Sequence, residues 1–261
     1  MRRPQNMAIS PSPQKALTDR LIAALQQDEF VLYAQSITPL GQKDPARPFQ
    51  EIFIRFKEED AKLLPPGSFF PILEQCHLLP YLDRWVVNRL MRWIDNGERV
   101  SPNWHIPHNT VNLSSATLVD PNFGKFVLHN VSESRLSDGT LAFEIGWDAA
   151  MEHQEALQRL VAELGTHGCW FTLTGFDGTE PAFARLKTLA PNFVKICPSI
   201  IGNLDSLVAN EAKVAEINRR CHMLGAKTIA EQVESRDMLE QLRKTQIDFA
   251  QGYEISPVQP L

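Results

Sequence analysis

Cysteine is scarce here: the 261 residues hold four, Cys76, Cys169, Cys197 and Cys221. Their spacings fit neither a disulfide framework nor a metal knuckle, which excludes a stapled or zinc-organised scaffold. No apolar run approaches the roughly 20 residues of a membrane span, and no N-terminal signal pattern is visible. Positive charge is not in excess. With 26 Lys and Arg against 31 Asp and Glu, a net charge of -5 and a pI near 5.8, a nucleic-acid surface is excluded as the main role. There is no internal repeat and no low-complexity block. These absences leave a reduced, cytoplasmic protein as the expectation, with Cys169 and Cys197 read as small core residues.

What is present is a chain of ordinary apolar content and of the size that one α/β barrel needs, roughly 250 residues. Residues 1–16, with Pro4, Pro11 and Pro13 among polar residues, read as a tail or linker, and 17–261 as one domain. A helix is expected over 17–27 and a strand over 30–40. A second strand follows at 49–56, then a helix from Phe69 and another with Leu82, Trp85, Val86, Leu90 and Trp93 on one face. From there strand and helix alternate. Strands are expected at 111–113, 141–147, 169–176, 193–197, 226–233 and 247–253, with helices between most of them. Eight strands in this pattern predict an α/β fold of the (β/α)8, TIM-like barrel kind.

The strand Phe49-Gln50-Glu51-Ile52-Phe53-Ile54-Arg55-Phe56 is the most informative stretch. Alternation puts Glu51 and Arg55 on one face about 13 Å apart, too far for an ion pair and suited to the two ends of an elongated ligand. Ionisable or amide groups recur at the expected strand ends: Gln35, Glu51, Asn112, Glu144, Thr174, Lys195, Glu231 and Gln251. Barrel chemistry sits at such ends, and charge converging on one mouth is costly without partners. His105 and His108 are spaced for a metal on a helix, but Pro102 and Pro107 break that helix, so both read as surface residues. Arg219-Arg220 reads as a solvated helix face.

These residues resemble the EAL family, the bacterial domain that hydrolyses the second messenger cyclic-di-GMP. Glu51-Ile52-Phe53-Ile54-Arg55 is similar to its Glu-Ala-Leu-x-Arg, Asn112-Leu113-Ser114 to its Asn-Leu-Ser, and Phe143-Glu144-Ile145 to the start of its Glu-Ile-Thr-Glu. Val194-Lys195-Ile196 is similar to its Lys-Ile-Asp, 229–234 to its Ala-Glu-Gly-Val-Glu, and Gln251-Gly252-Tyr253 to its Gln-Gly-Tyr. The resemblance implies an EAL-type barrel and two Mg²⁺ or Mn²⁺ ions on oxygen ligands, which activate water against a phosphodiester. It makes Glu51, Asn112, Glu144 and Glu231 the metal ligands and Lys195 the residue that orients water. Gln35, Arg55 and Gln251 would contact the nucleotide.

The departures carry equal weight. Thr174-Gly175-Phe176-Asp177 stands where the family has Asp-Asp-Phe-Gly, at unchanged spacing from Lys195, so two bridging carboxylates are replaced. Trp147 stands for the second Glu of Glu-Ile-Thr-Glu, Cys197 for the Asp of Lys-Ile-Asp, and Thr179-Glu180-Pro181-Ala182 for the family's Gly-Tyr-Ser-Ser loop, so the resemblance does not carry over the family's dimer. The expectation is a degenerate EAL-like regulatory domain that binds cyclic-di-GMP without turning it over, with no metal or one weakly held ion. Lys195 is expected to turn in among Glu51, Glu144 and Glu231 as counter-charge. Two alternatives remain: a protein-interaction module that has lost the nucleotide, and a phosphodiesterase of weak residual activity.

Overall fold

The computed structural model describes residues 13–41, 47–57, 63–100, 104–133, 136–202 and 208–261. A curled mixed sheet is wrapped by helices. Helix α1 (Pro13–Gln26) leads into β1 (Phe30–Ser36), which passes through Ile37 into β2 (Thr38–Pro39). The helix starts four residues before the expected Leu17, because proline is tolerated in a first helical turn. The other twelve residues read as a tail lie outside the described residues. Next come β3 (Phe49–Lys57), β4 (Leu63–Leu64), a 3-10 turn at Pro66–Ser68, α2 (Phe70–Gln75) and α3 (Leu79–Val100). The chain continues through β5 (His108–Asn112), α4 (Ser115–Leu118), α5 (Phe123–Glu133), β6 (Leu141–Gly146), α6 (Trp147–Glu152), α7 (Gln154–Gly165) and β7 (Trp170–Phe176). It closes with α8 (Glu180–Leu189), β8 (Phe193–Ile196), α9 (Pro198–Ile201), α10 (Val208–Met223), β9 (Lys227–Ala230), α11 (Arg236–Lys244), β10 (Phe249–Ala250) and β11 (Gln259–Pro260).

Eight of these strands, β1, β3 and β5 to β10, form the barrel wall. The order is β11-β1-β3-β5-β6-β7-β8-β9-β10-β2, with β4 beside β3. From β3 to β10 every pairing is parallel, but β1 runs antiparallel to β3, with Gln35 opposite Glu51 and Val31 opposite Arg55. No ladder joins β1 to β10. The chain itself makes that junction, since β1 leads directly into β2, and β2 pairs with β10. Gln35 therefore lies beside Glu51, which is the third residue of β3 and not at the C-terminal end of its strand as expected.

Local sequence explains the elements. Strand β6 is buried from Leu141 to Ile145, the continuous apolar run of a strand covered on both faces, and it carries Glu144 into that environment. In α3, Leu79, Leu82, Asp83, Val86, Val87, Leu90, Met91 and Ile94 form one buried stripe at three- and four-residue steps. Ser114, Thr179 and Ser235 each cap a helix by accepting from the backbone N–H three residues on. Strand β10 is only Phe249–Ala250, shorter than expected. A side-chain carbon on Gly252 would lie 2.1 Å from the Val233 carbonyl, so the backbones touch where the chain leaves the ladder.

Three sequence readings change. Cys169 is buried as expected, but Cys197 is half-exposed, because it follows the last residue of β8 and starts α9; its Sγ lies 3.1 Å from Ser199 Oγ. Cys221 takes the core role instead. Arg220 leaves the solvated face to pair with Glu180 at the start of α8 and to stack on Phe183, 3.7 Å from the ring centre. His108 is no surface residue. It opens β5, stacks on Trp170 at 4.5 Å and meets the Gly139 carbonyl at 2.8 Å through Nδ1.

Burial lowers the His108 pKa; the Gly139 bond opposes this, while Arg47 and Lys227 add to it. The unfolded chain then takes up this proton more readily than the folded one. The stability His108 contributes is present above the ordinary histidine range near 6.5 and is lost as pH falls through the lower folded value. Thermal midpoints measured from about pH 7.5 to 5 should drop less steeply in His108→Phe than in the parent. Equal slopes would show that the imidazole is not held neutral.

Candidate functional site

Glu51 is the hub of the site. It is the third residue of β3 and is 5 % exposed. Its Oε1 accepts from Asn112 Nδ2 at 2.7 Å, and its Oε2 accepts from Gln251 Nε2 at 2.8 Å and from Lys195 Nζ at 2.6 Å. The same ammonium lies 2.7 Å from Glu144 Oε2. Gln251 Nε2 also reaches Gln35 Oε1 at 3.2 Å, and Gln35 Nε2 donates to the Ser256 carbonyl at 3.0 Å. Six expected site residues on six different strands or strand ends thus form one connected network. Glu231, just past β9, lies beside it and accepts from Thr174 Oγ1 at 3.4 Å. Arg55 stands apart, as the spacing predicted: it donates to the Ile54 carbonyl and lies 5.5 Å over the Tyr33 ring.

The electrostatics follow from crowding. Burial pushes the Glu51 carboxyl up, but the Lys195 charge with the bonds from Lys195, Gln251 and Asn112 outweighs it, so Glu51 is held below the carboxylate range. Glu144 goes the other way. Burial and the Glu51 charge raise it to about 8 against the pull of Lys195. Burial disfavours the Lys195 ammonium, yet Glu144, Glu51 and Glu231 more than compensate and its pKa rises. Glu231 is raised by burial, with Lys195 opposing. The ammonium thus stands between two carboxyl groups as their shared counter-charge, which is how acidic groups this close coexist.

The end of β7 has its own geometry. The ladder to β8 slips between Thr174 and Phe176, and Gly175 takes up the bulge at φ +85°, a conformation that disfavours any side chain there. Trp147 turns away from the network and packs edge-on against Phe176. Asp177 is spent locally: its Oδ1 accepts from the backbone N–H and the hydroxyl of Thr179. Among the described residues, no three acidic, imidazole or thiol side chains gather closely enough to hold a metal ion.

Two contributors escaped the sequence reading. Ser256 ties the last loop to β1 through both its carbonyl and its hydroxyl, and nothing in its surroundings in the sequence marks it. Asp83, buried in α3, accepts from Ser114 N–H at 3.0 Å and Ser114 Oγ at 2.7 Å, and so anchors the turn two residues beyond Asn112. Its signal was legible: it is a lone carboxylate inside an apolar helical stripe. Burial raises its pKa against those bonds.

The family model described as EAL domain matches residues 18–258. The chain belongs to the EAL domain family. Among named relatives, the cyclic di-GMP phosphodiesterase PdeB of Shewanella oneidensis is 26% identical over 93% of this chain, and PdeF of Escherichia coli is 28% identical over 94%. The chain spans 28% and 32% of those two proteins' lengths. Among solved structures, the Xanthomonas citri FimX EAL domain in complex with c-diGMP superposes with a TM-score of 0.87 at 24% identity, covering 95% of both chains. The Pseudomonas aeruginosa FimX EAL domain bound to c-di-GMP gives 0.84 at 24%, covering 95% of this chain and 97% of that one. At such identity the likeness to FimX speaks for the fold. No described helix of this EAL domain is long and apolar enough to cross a membrane.

Removing one partner of a buried ion pair leaves the other charge uncompensated. Lys195→Met should therefore lower the unfolding free energy in urea by about 3–5 kcal/mol, and adding Glu51→Gln should recover part of that loss. A loss under about 1 kcal/mol, the range of exposed pairs, would show that Lys195 is not what neutralises the mouth.

Proposed function

We propose that this EAL domain is a cyclic-di-GMP receptor that does not hydrolyse its ligand. The observation that carries the reading is the Lys195 ammonium within 2.7 Å of both Glu51 and Glu144, the two carboxylates that the family resemblance makes metal ligands. Glu51, Asn112, Glu144 and Glu231 are oxygen donors of the type that a hard cation such as Mg²⁺ or Mn²⁺ takes, although as placed the carboxylates do not gather about one point. They do not suit two, because Thr174 and Gly175 offer no carboxylate between the ions. A cation entering here would also have to evict a buried ammonium. The two-ion chemistry that activates water in the family has no support in this donor set.

Binding needs less. Arg55 offers a planar donor fork for phosphate or a guanine edge, and the Tyr33 ring beneath holds it in place. Gln35 and Gln251 add amide groups that bring no like-charge repulsion. Because Lys195 already offsets the carboxylates, a dianionic nucleotide meets little repulsion even without a divalent ion. The crystallised FimX EAL domains with bound c-di-GMP lend this reading support from the same fold. The rival reading, slow hydrolysis, draws on the phosphodiesterase names of the relatives.

Two measurements decide. Incubation with cyclic-di-GMP and Mn²⁺, followed by chromatography, should give no linear dinucleotide above background; a turnover near 1 s⁻¹, at the low end of the enzymatic range of about 1–10³ s⁻¹, would establish the enzyme instead. Calorimetric titration should show binding of equal strength with Mg²⁺ and with chelator. Arg55→Ala should weaken it by roughly tenfold to a hundredfold, the loss of about 1.5–3 kcal/mol expected for a hydrogen bond to a charged group. Silence of the parent protein well into the millimolar range would end the receptor reading and leave the protein-interaction module in its place.

A further inference from the structure

A second cavity lies outside the network, between α3 and the edge of β1. Its volume is about 410 Å³, within the roughly 300–1,000 Å³ range of small-molecule sites. Tyr33, Leu63 and Trp93 give it an apolar and aromatic wall, while Lys57, Arg89 and Arg92 line it with positive charge. No acidic side chain is among the described lining residues, and none of the Glu51 network lines it.

Two features make this more than a surface dent. Trp93 is fixed by an edge-on contact with Trp104, their ring centres 4.8 Å apart, so the aromatic wall is set before any ligand arrives. The cations, by contrast, are weakly engaged. Arg89 and Arg92 share the single carboxylate of Asp28 at 3.3 and 3.5 Å, and their side chains are 44 % and 55 % exposed. Among the described side chains, this one carboxylate, also bonded to Trp85 Nε1, is shared by two guanidiniums. Leu63, at the rim, is 40 % exposed, an apolar group in water beside that charge.

We propose that this cavity binds a small amphipathic anion, with its carboxylate or sulfonate between Arg89, Arg92 and Lys57 and its apolar body against Trp93 and Leu63. A guanidinium prefers an anion that it can meet with two donors, and the apolar body adds area removed from water. A ligand seated there touches Tyr33, whose ring carries Arg55, so the cavity and the barrel mouth share one side chain. Its occupancy does not depend on whether the mouth takes a nucleotide.

The test uses the full chain and the fluorescent anion 1-anilinonaphthalene-8-sulfonate, with octanoate as competitor and octanol as the uncharged control of equal length. Saturable binding at one probe per chain is expected, displaced by octanoate at much lower concentration than by octanol. Leu63→Glu, at the exposed rim, and Arg89→Glu with Arg92→Glu should each weaken the probe at least tenfold while the thermal midpoint stays near that of the parent. Should the double variant fold poorly, Leu63→Glu decides alone. Non-saturable fluorescence, equal displacement by octanol, or parent-like binding by Leu63→Glu would overturn the proposal.

Discussion

Everything at the barrel mouth depends on one buried ammonium. Lys195 is 1 % exposed and stands between carboxylates from β3 and β6, so three strands that are not all neighbours are held through one charged atom. Taking such groups out of water is expensive, and on the Glu51 side the cost is offset by further bonds. Asn112 and Gln251 complete Glu51, Gln35 completes Gln251, and Ser256 completes Gln35. Removing any of these leaves a buried group short of a partner. The mouth thus behaves as one unit, and its chemistry is set by how two carboxylates share one cation.

That sharing separates the roles of residues with the same side chain. Glu51 collects donors and stays ionised, whereas Glu144, deeper among apolar neighbours, is raised to about 8. The antiparallel β1 adds a second asymmetry. It lays Tyr33 and Val31 alongside the outer half of β3, so Arg55 rests on an aromatic ring well away from the carboxylates. The contacts of that guanidinium are a ring and a backbone carbonyl.

Where the sequence reading failed, a tertiary contact overrode a sound local argument. Proline before His105 and again between His105 and His108 does exclude a helical metal site, but it says nothing of Trp170, which closes over His108 from another strand. Arg220 looked solvated because its partner Glu180 is 40 residues away in the chain. Cys197 looked internal because the apolar run reaches it, yet the strand stops one residue earlier, where α9 begins. Strand β10 was overestimated because Gly252 lies against Val233, a close approach that only the packed structure reveals.

The sequence by itself determined the eight barrel strands, the alternation of helices, and the set of polar residues that meet at the mouth. It could do so because periodicity and residue type are local properties, and because a charged or amide group inside an apolar strand is conspicuous. The family likeness was legible for the same reason, since its motifs sit on those strands in order. Only the tertiary structure decided that β1 runs antiparallel, that Lys195 engages Glu51 and Glu144 while Glu231 pairs with Thr174, and that Asp177 is consumed by its own turn. Those outcomes depend on directions and distances between segments up to 144 residues apart, which no local pattern encodes.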